Sequence, residues 1–313
     1  MVRNCEPLAG VFCSIFPMIK QPAPLQPGDL LQVIAPSGSL RELDAYHQGL
    51  AVWRSQGYRV ETMELNNKLN NWGYLAGRDQ ERRQQLKEAW SNPQVRGILC
   101  VRGGYGTARL LEDWQWPSLD QPKWLIGFSD VTNLLWSLYQ QGIGSVHGAV
   151  LTTLGQEPQW SIDRLLALVT GKNLDPLQGT GWGGGKAQGL LLAGNLTVAT
   201  HLLGTPWQPD LTGIILALED VTEAPYRIDR YLTQWRTSGA LNLVKGIALG
   251  RFSRCEAPVG IPSWRVEEVL RDRLGDLGIP IVSGLPFGHD GENAALPVGS
   301  LVELDGDQGT LSL

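Results

Sequence analysis

From Asp29 onward, short apolar runs alternate with stretches whose apolar residues recur at helical spacing, the pattern left by parallel strands joined by crossover helices. Residues 30–35 read as the first strand. Leu40, Leu43, His47, Leu50 and Trp53 then fall on one helical face, and residues 58–63 read as a second strand. Residues 79–90 are charged and helix-favouring, and Ser91-Asn92-Pro93 stops them. Residues 97–101 and 124–128 read as buried strands, each entering an amphipathic segment through a glycine-containing turn. The first half is therefore expected to be an α/β layer domain, residues 27–174.

Between residues 175 and 189 the pattern lapses into Gly179, Gly181, Gly183, Gly184, Gly185 and Gly189. This window is expected to be the linker between domains. A second domain, residues 190–313, has apolar runs at 214–218, 244–249 and 279–282 and helical patterns at 227–235 and 264–274. It closes with two short apolar stretches around Asp305-Gly306-Asp307, a hairpin by its turn chemistry. No internal repeat is visible.

Composition narrows the function classes. A chain of 313 residues can hold two ordinary domains, and 42% hydrophobic with 18% charged residues is globular. A net charge of -5 offers no basic field for a phosphate backbone, so nucleic acid is not an expected partner. Cys5, Cys13, Cys100 and Cys255 have no CxxC spacing, which points to a reduced compartment. Arg3, an apolar stretch at residues 8–19 and prolines up to Pro27 set the start apart, and residues 1–26 are expected to be a disordered extension. The apolar stretch is too short to span a bilayer and lacks a small-x-small cleavage site, which leaves a secretory signal as the lesser alternative. No other segment reaches membrane length.

The chemistry concentrates at strand ends. In Gly127-Phe128-Ser129-Asp130-Val131-Thr132 a serine stands where a strand turns into a helix, so its hydroxyl is exposed and neighbouring N–H groups point toward a developing negative charge. The alternative is that Ser129 or Asp130 merely caps the helix. A serine nucleophile needs a base, usually a histidine oriented by a carboxylate. Of the four histidines, His47 and His201 read as packing residues, His147 as a minor candidate at a strand end, and His289 as a residue displayed on a turn-rich loop. An apolar strand ending in Glu219-Asp220 delivers an acid to a carboxyl-terminal strand edge, where α/β folds place their ligands; Asp220 can equally serve as a cap. Metal ligation by the two acids lacks an accompanying histidine cluster. Arg102-Gly103-Gly104-Tyr105-Gly106 is a further strand-end turn able to present N–H groups to an anion, and it fails the spacing of a dinucleotide fingerprint.

These residues together resemble the LD-carboxypeptidases, the serine peptidase family that also contains the microcin C immunity hydrolases. The likeness runs through Ile34-Ala35-Pro36-Ser37-Gly38, Tyr74-Leu75-Ala76-Gly77, the Arg102 to Gly106 motif and Gly127-Phe128-Ser129-Asp130. It continues through Asn195-Leu196, Gly204-Thr205-Pro206-Trp207, Leu218-Glu219-Asp220, Tyr226-Arg227-Ile228-Asp229-Arg230, and Gly288-His289 with Leu296-Pro297. The resemblance implies an α/β fold: a Rossmann-like or flavodoxin-like N-terminal domain with a parallel sheet, and a C-terminal domain built around a small β-barrel. It implies the triad Ser129, Glu219 and His289. The N–H of Asp130 and that of Gly104 are the expected oxyanion donors, and Arg102 the expected partner for a substrate carboxylate unless it only pairs with a nearby acid. It further implies a cytoplasmic homodimer acting on a small peptide, with no metal or organic cofactor and no membrane partner. The expected reaction removes a terminal D-alanine from a peptidoglycan-derived tetrapeptide. Rival expectations are hydrolysis of peptide-nucleotide antibiotics, a silent binding protein of the same fold and, from the glycine loop, a nucleotide-dependent oxidoreductase.

Overall fold

The apolar runs of the first half form β1 (Leu30–Ile34), β2 (Arg59–Glu61), β3 (Val95–Cys100), β4 (Trp124–Gly127) and β5 (Ser145–His147). The computed structural model describes residues 19–62 and 72–313. All five strands are parallel, in the order β2-β1-β3-β4-β5. Direction along the sheet reverses between β1 and β3, the kind of switch point where open α/β sheets bind ligands beyond the strand ends.

Successive residues of a strand point to opposite faces, and the core divides accordingly. Ile98, Cys100 and Leu125 pack with α2 (Asp79–Ser91), α3 (Thr107–Leu111) and α4 (Thr132–Gln140) on one side. Leu99, Val101 and Ile126 pack with α1 (Leu43–Ser55), α5 (Leu151–Leu154) and α6 (Gln159–Val169) on the other.

The second half forms β6 (Leu177–Gln178), β7 (Thr180–Gly181), β8 (Lys186–Asn195), β9 (Ile215–Val221), β10 (Gly246–Ser253) and β11 (Ile281–Ser283). It also forms β12 (Leu296–Val298) and the hairpin β13 (Leu301–Asp305) and β14 (Thr310–Ser312). Eight of these strands make a second sheet in the order β6-β14-β13-β8-β9-β10-β11-β7, with β8 to β11 parallel and flanked by antiparallel partners. Strands β6 and β7 stand at opposite edges although only Gly179 separates them in the chain, so the sheet curls until its edges meet. The expected barrel is this nearly closed sheet. Helices α7 (Leu196–Leu202), α8 (Pro225–Thr237) and α9 (Val266–Leu274) connect its parallel strands.

Two expectations about the chain's course differ from the structure. The glycine window read as a linker carries β6 and β7, and its glycines serve close packing: a Cβ on Gly181 would lie 2.0 Å from the Gly306 carbonyl oxygen. Of the expected disordered extension, the part from residue 19 is packed on the first layer. Leu25 is buried with its N–H bonded to the Val169 carbonyl at 2.8 Å, and the Trp124 indole N–H donates to the Ala23 carbonyl at 3.0 Å. Residues 1–18, and Met63 at the end of the second predicted strand, lie outside the described residues.

The two layers are joined in two ways. Strand β12, late in the chain, pairs antiparallel with β5 and completes the first sheet. Helix α4 packs against β8: the Trp136 indole donates to the Ala193 carbonyl at 2.9 Å, and the Asn195 N–H to the Thr132 hydroxyl at 3.0 Å. Among the described residues no helix is long and apolar enough to cross a membrane.

Candidate active site

Four buried residues of β4 end at Gly127, and the chain then turns sharply. Ser129 takes φ 62°, a left-handed conformation costly for a residue with a Cβ, and opens a single 3₁₀ turn before α4. No side chain caps either that turn or α4, so the capping alternative does not describe Ser129. Gly103, just past β3, abuts it: a Cβ there would sit 3.0 Å from Ser129 Oγ and 3.7 Å from the Asp130 nitrogen. Only a glycine lets the β3 loop come so close to the serine and to the N–H of the next residue.

Glu219 comes from the end of β9 and is completely buried. Its Oε2 lies 2.6 Å from Nδ1 of His289, and its Oε1 accepts a bond of 3.2 Å from the Asn195 amide. Glycine again permits the approach, because Gly288 has φ 118° and a Cβ on it would meet Glu219 Cβ at 3.0 Å. The His289 loop crosses from β11 in the second sheet to β12 in the first, which is how one imidazole reaches both layers. Ser253 Oγ donates to the His289 carbonyl at 2.7 Å, Gly288 N–H donates to Asn293 Oδ1 at 3.1 Å, and the His289 ring leans on Phe128 with centroids 4.7 Å apart. Burial disfavours the imidazolium, but Glu219, with Asp220 and Asp290, outweighs it and holds the His289 pKa above the ordinary histidine value.

Ser129 and His289 line one cavity of about 240 Å³, together with Arg102, Gly103, Gly104, Phe128 and Glu42. The structure therefore brings together the serine, the histidine and its acid. Gly104, at φ 116°, is on the wall, and the Asp130 nitrogen lies beside Gly103. Arg102 is on the wall too, but one of its nitrogens is already engaged. Its Nη1 donates to the Ser39 carbonyl at 2.9 Å and to the Glu42 carboxylate at 3.1 Å.

The remaining candidates fall outside the cavity. His147 is fully buried between Phe128 and Phe287 with no protein partner on either ring nitrogen, and burial pushes its pKa down to about 4. His47 and His201, expected as packing residues, are exposed and rest edgewise on Tyr46 and Tyr231, because each lies beside rather than on its helix's buried stripe. Asp220 does act as a cap: it accepts from the Thr197 N–H at 2.9 Å and hydroxyl at 2.7 Å in the first turn of α7. Burial, then the charge of Glu219, pushes its carboxyl up to about 6.

Sequence reasoning misses the role of two supporting residues. Asn195 caps α7 by accepting the Val198 N–H at 3.1 Å, and its amide holds Glu219 and Asp220 apart. An asparagine between an apolar strand and a helix is a capping signal, but its contact with Glu219 depends on the β8–β9 pairing. Ser253, which steadies the histidine loop, carries no local signal at all.

Comparison with known proteins agrees with this geometry. Residues 31–148 match the LD-carboxypeptidase N-terminal domain and residues 188–304 the LD-carboxypeptidase C-terminal domain. A Synechocystis sp. protein with a carboxypeptidase designation is 65% identical over 292 residues, 93% of this chain and 96% of that one. The murein tetrapeptide carboxypeptidase of Pseudomonas aeruginosa is 33% identical over 75% of this chain and 80% of its own. The crystal structure of muramoyltetrapeptide carboxypeptidase from Oxalobacter formigenes superposes with a TM-score of 0.80 at 32% identity, covering 90% of this chain and 97% of that one. With both halves matched in order and relatives above 30% identity over most of its length, the chain belongs to the LD-carboxypeptidase family.

Proposed function

We propose that the protein is a serine carboxypeptidase that hydrolyses the amide joining the L-centre of a diamino acid to the terminal D-alanine of a peptidoglycan-derived tetrapeptide. The observation that carries the reading is the His289–Glu219 contact of 2.6 Å beside a cavity shared with a serine on a strained strand-to-helix turn. The substrate class follows the relatives named for murein and muramoyl tetrapeptides.

In this mechanism Ser129 Oγ attacks the scissile carbonyl. With Nδ1 committed to Glu219, Nε2 of His289 takes the hydroxyl proton and then gives it to the departing D-alanine amine. Glu219 fixes the tautomer and stabilises the transient imidazolium. The N–H groups of Asp130 and Gly104 receive the oxyanion, and a water repeats the sequence on the acyl-enzyme. Arg102 takes the terminal carboxylate with the donors that Glu42 and Ser39 leave free. Neither half-reaction calls for a cofactor. A homodimer working in the cytoplasm on recycled cell-wall peptides completes the proposal.

Mass spectrometry of the protein incubated with a muropeptide tetrapeptide tests it. The expected result is loss of one alanine, absent with Ser129→Ala. Cleavage of a peptidyl nucleotide with the tetrapeptide left intact would replace this reading with the antibiotic-detoxifying one. Turnover of neither substrate would refute the hydrolase.

A further inference from the structure

Arg82 is a guanidinium with no solvent exposure, in the first turn of α2. Its Nη1 donates to the Gly106 carbonyl at 2.9 Å and also to the Pro36 carbonyl, while Nη2 binds Asp79. Asp79 in turn holds Arg109 through bonds of 2.9, 3.0 and 2.5 Å. On the other side of the same loop, the buried Asp130 carboxylate accepts the Thr107 N–H at 3.0 Å, and the Thr107 hydroxyl donates to the Asp130 carbonyl. One peptide unit, Gly106–Thr107, is therefore gripped by a buried cation at its carbonyl and by a buried anion at its N–H.

We propose that Arg82 and Asp130 form a clamp that sets the glycine loop for catalysis, which makes Arg82 a positioning residue of the Ser129 site. The clamp rests on the hydrolase reading above and adds to it what aims the second oxyanion donor. The loop needs such a hold. Gly104 and Gly106 have φ 116° and 132°, values open to glycine at little cost, so the sequence Gly103-Gly104-Tyr105-Gly106 has little rigidity of its own. At its near end Gly103 touches Ser129, and its carbonyl accepts only a long bond of 3.2 Å from the Gly38 N–H.

A buried guanidinium is costly to desolvate, and burial pulls the Arg82 pKa down against the support of Asp79 and Asp130. Its planar fork joins Pro36, after β1, to Gly106, after β3. These two segments flank the switch point at which the cavity opens, and lysine cannot present two directed donors in one plane. Asp130 thereby contributes twice: its N–H faces the reacting centre, and its carboxylate, held by donors that include Thr107, anchors the loop opposite.

The test measures kcat and KM for tetrapeptide hydrolysis in Arg82→Lys and in the milder Asp79→Asn, which removes the acid behind the fork. Circular dichroism checks the fold. Displacing one oxyanion donor is expected to lower kcat roughly 10- to 100-fold in Arg82→Lys and several-fold in Asp79→Asn, with KM nearly unchanged. Inhibition by a phosphonate analogue of the scissile amide should weaken in step with kcat, while the tripeptide product binds as before. If Arg82→Lys does not fold, Asp79→Asn decides alone. Wild-type kcat and phosphonate affinity in the folded variants would overturn the clamp, as would equal loss of phosphonate and tripeptide binding. A wild-type protein that releases no D-alanine would overturn the hydrolase reading and the clamp's catalytic role with it.

Discussion

His289 sits under two opposing influences, burial against its charge and carboxylates in favour of it, and the carboxylates win. Only the neutral imidazole can accept the serine proton, so activity should rise with pH along a limb lying above the ordinary histidine range. Glu219→Gln removes the main support of the charged form. That limb should then move to lower pH while kcat falls roughly 1000-fold or more through the lost tautomer control. An unmoved limb in the pH–rate profile excludes Glu219 as the orienting acid. Ser129→Ala deletes the nucleophile and relieves a left-handed residue of nothing but its hydroxyl, so the fold should persist while turnover drops by about a million-fold. A tenth of wild-type activity would show that the serine is not the nucleophile. Arg102 can be probed from the substrate side. Amidating the terminal carboxylate should cost roughly 2–4 kcal/mol of transition-state binding. Equal kcat/KM for acid and amide would rule out an exopeptidase that reads that charge.

At the scale of elements, each reactive residue stands just past a strand, where a helix or loop starts and the chain is free to turn. That much was legible: β4 into Ser129, β3 into the glycine loop and β9 into Glu219 were each visible as an apolar run meeting polar or glycine residues. The glycine window was misleading because composition records only that glycine is present. Whether it gives freedom or close contact depends on what lies 2–3 Å from the absent Cβ, here the Gly306 and Ser283 carbonyls. Asn195 shows the same division, since its capping role is local and its bond to Glu219 is not. Asn195→Ala should cost about 1 kcal/mol from the lost cap and more from the unsatisfied acid beside it. Chemical denaturation measures the stability loss, and the pH–rate profile measures the freed Glu219. A variant with wild-type stability and profile would show that neither bond matters.

For the whole molecule, the decisive contact is between the layers. The triad draws Ser129 from the first sheet's edge and Glu219 from the second, and the packing of α4 on β8 sets their separation. Gly194 is the narrowest point of that contact, where a Cβ would fall 2.5 Å from Thr132 Cγ2. Gly194→Ala should therefore push the layers apart, costing about 1–3 kcal/mol of stability by overpacking. It should also slow turnover beyond what any unfolded fraction explains, because the base and nucleophile no longer share one register. Denaturation and kcat measured together check this, and unaltered kcat would mean that the layers adjust independently of the site.

The sequence alone determined the periodicities, hence the α/β character and most strands and helices. It also marked the residue types able to do acyl-transfer chemistry at strand ends. These are local properties, fixed by side-chain size, polarity and spacing within one run of chain. Only the tertiary structure decided that β6 and β7 lie at opposite edges of one curled sheet, that β12 returns to the first layer, and that Arg102 is already paired with Glu42. It alone placed Asn195 against Glu219 and put Arg82 and Asp130 on either side of one peptide. Contacts of this kind join segments from 23 to more than 100 residues apart in the chain. Their energy depends on the distance and burial of two groups at once, a quantity that no single stretch of sequence contains.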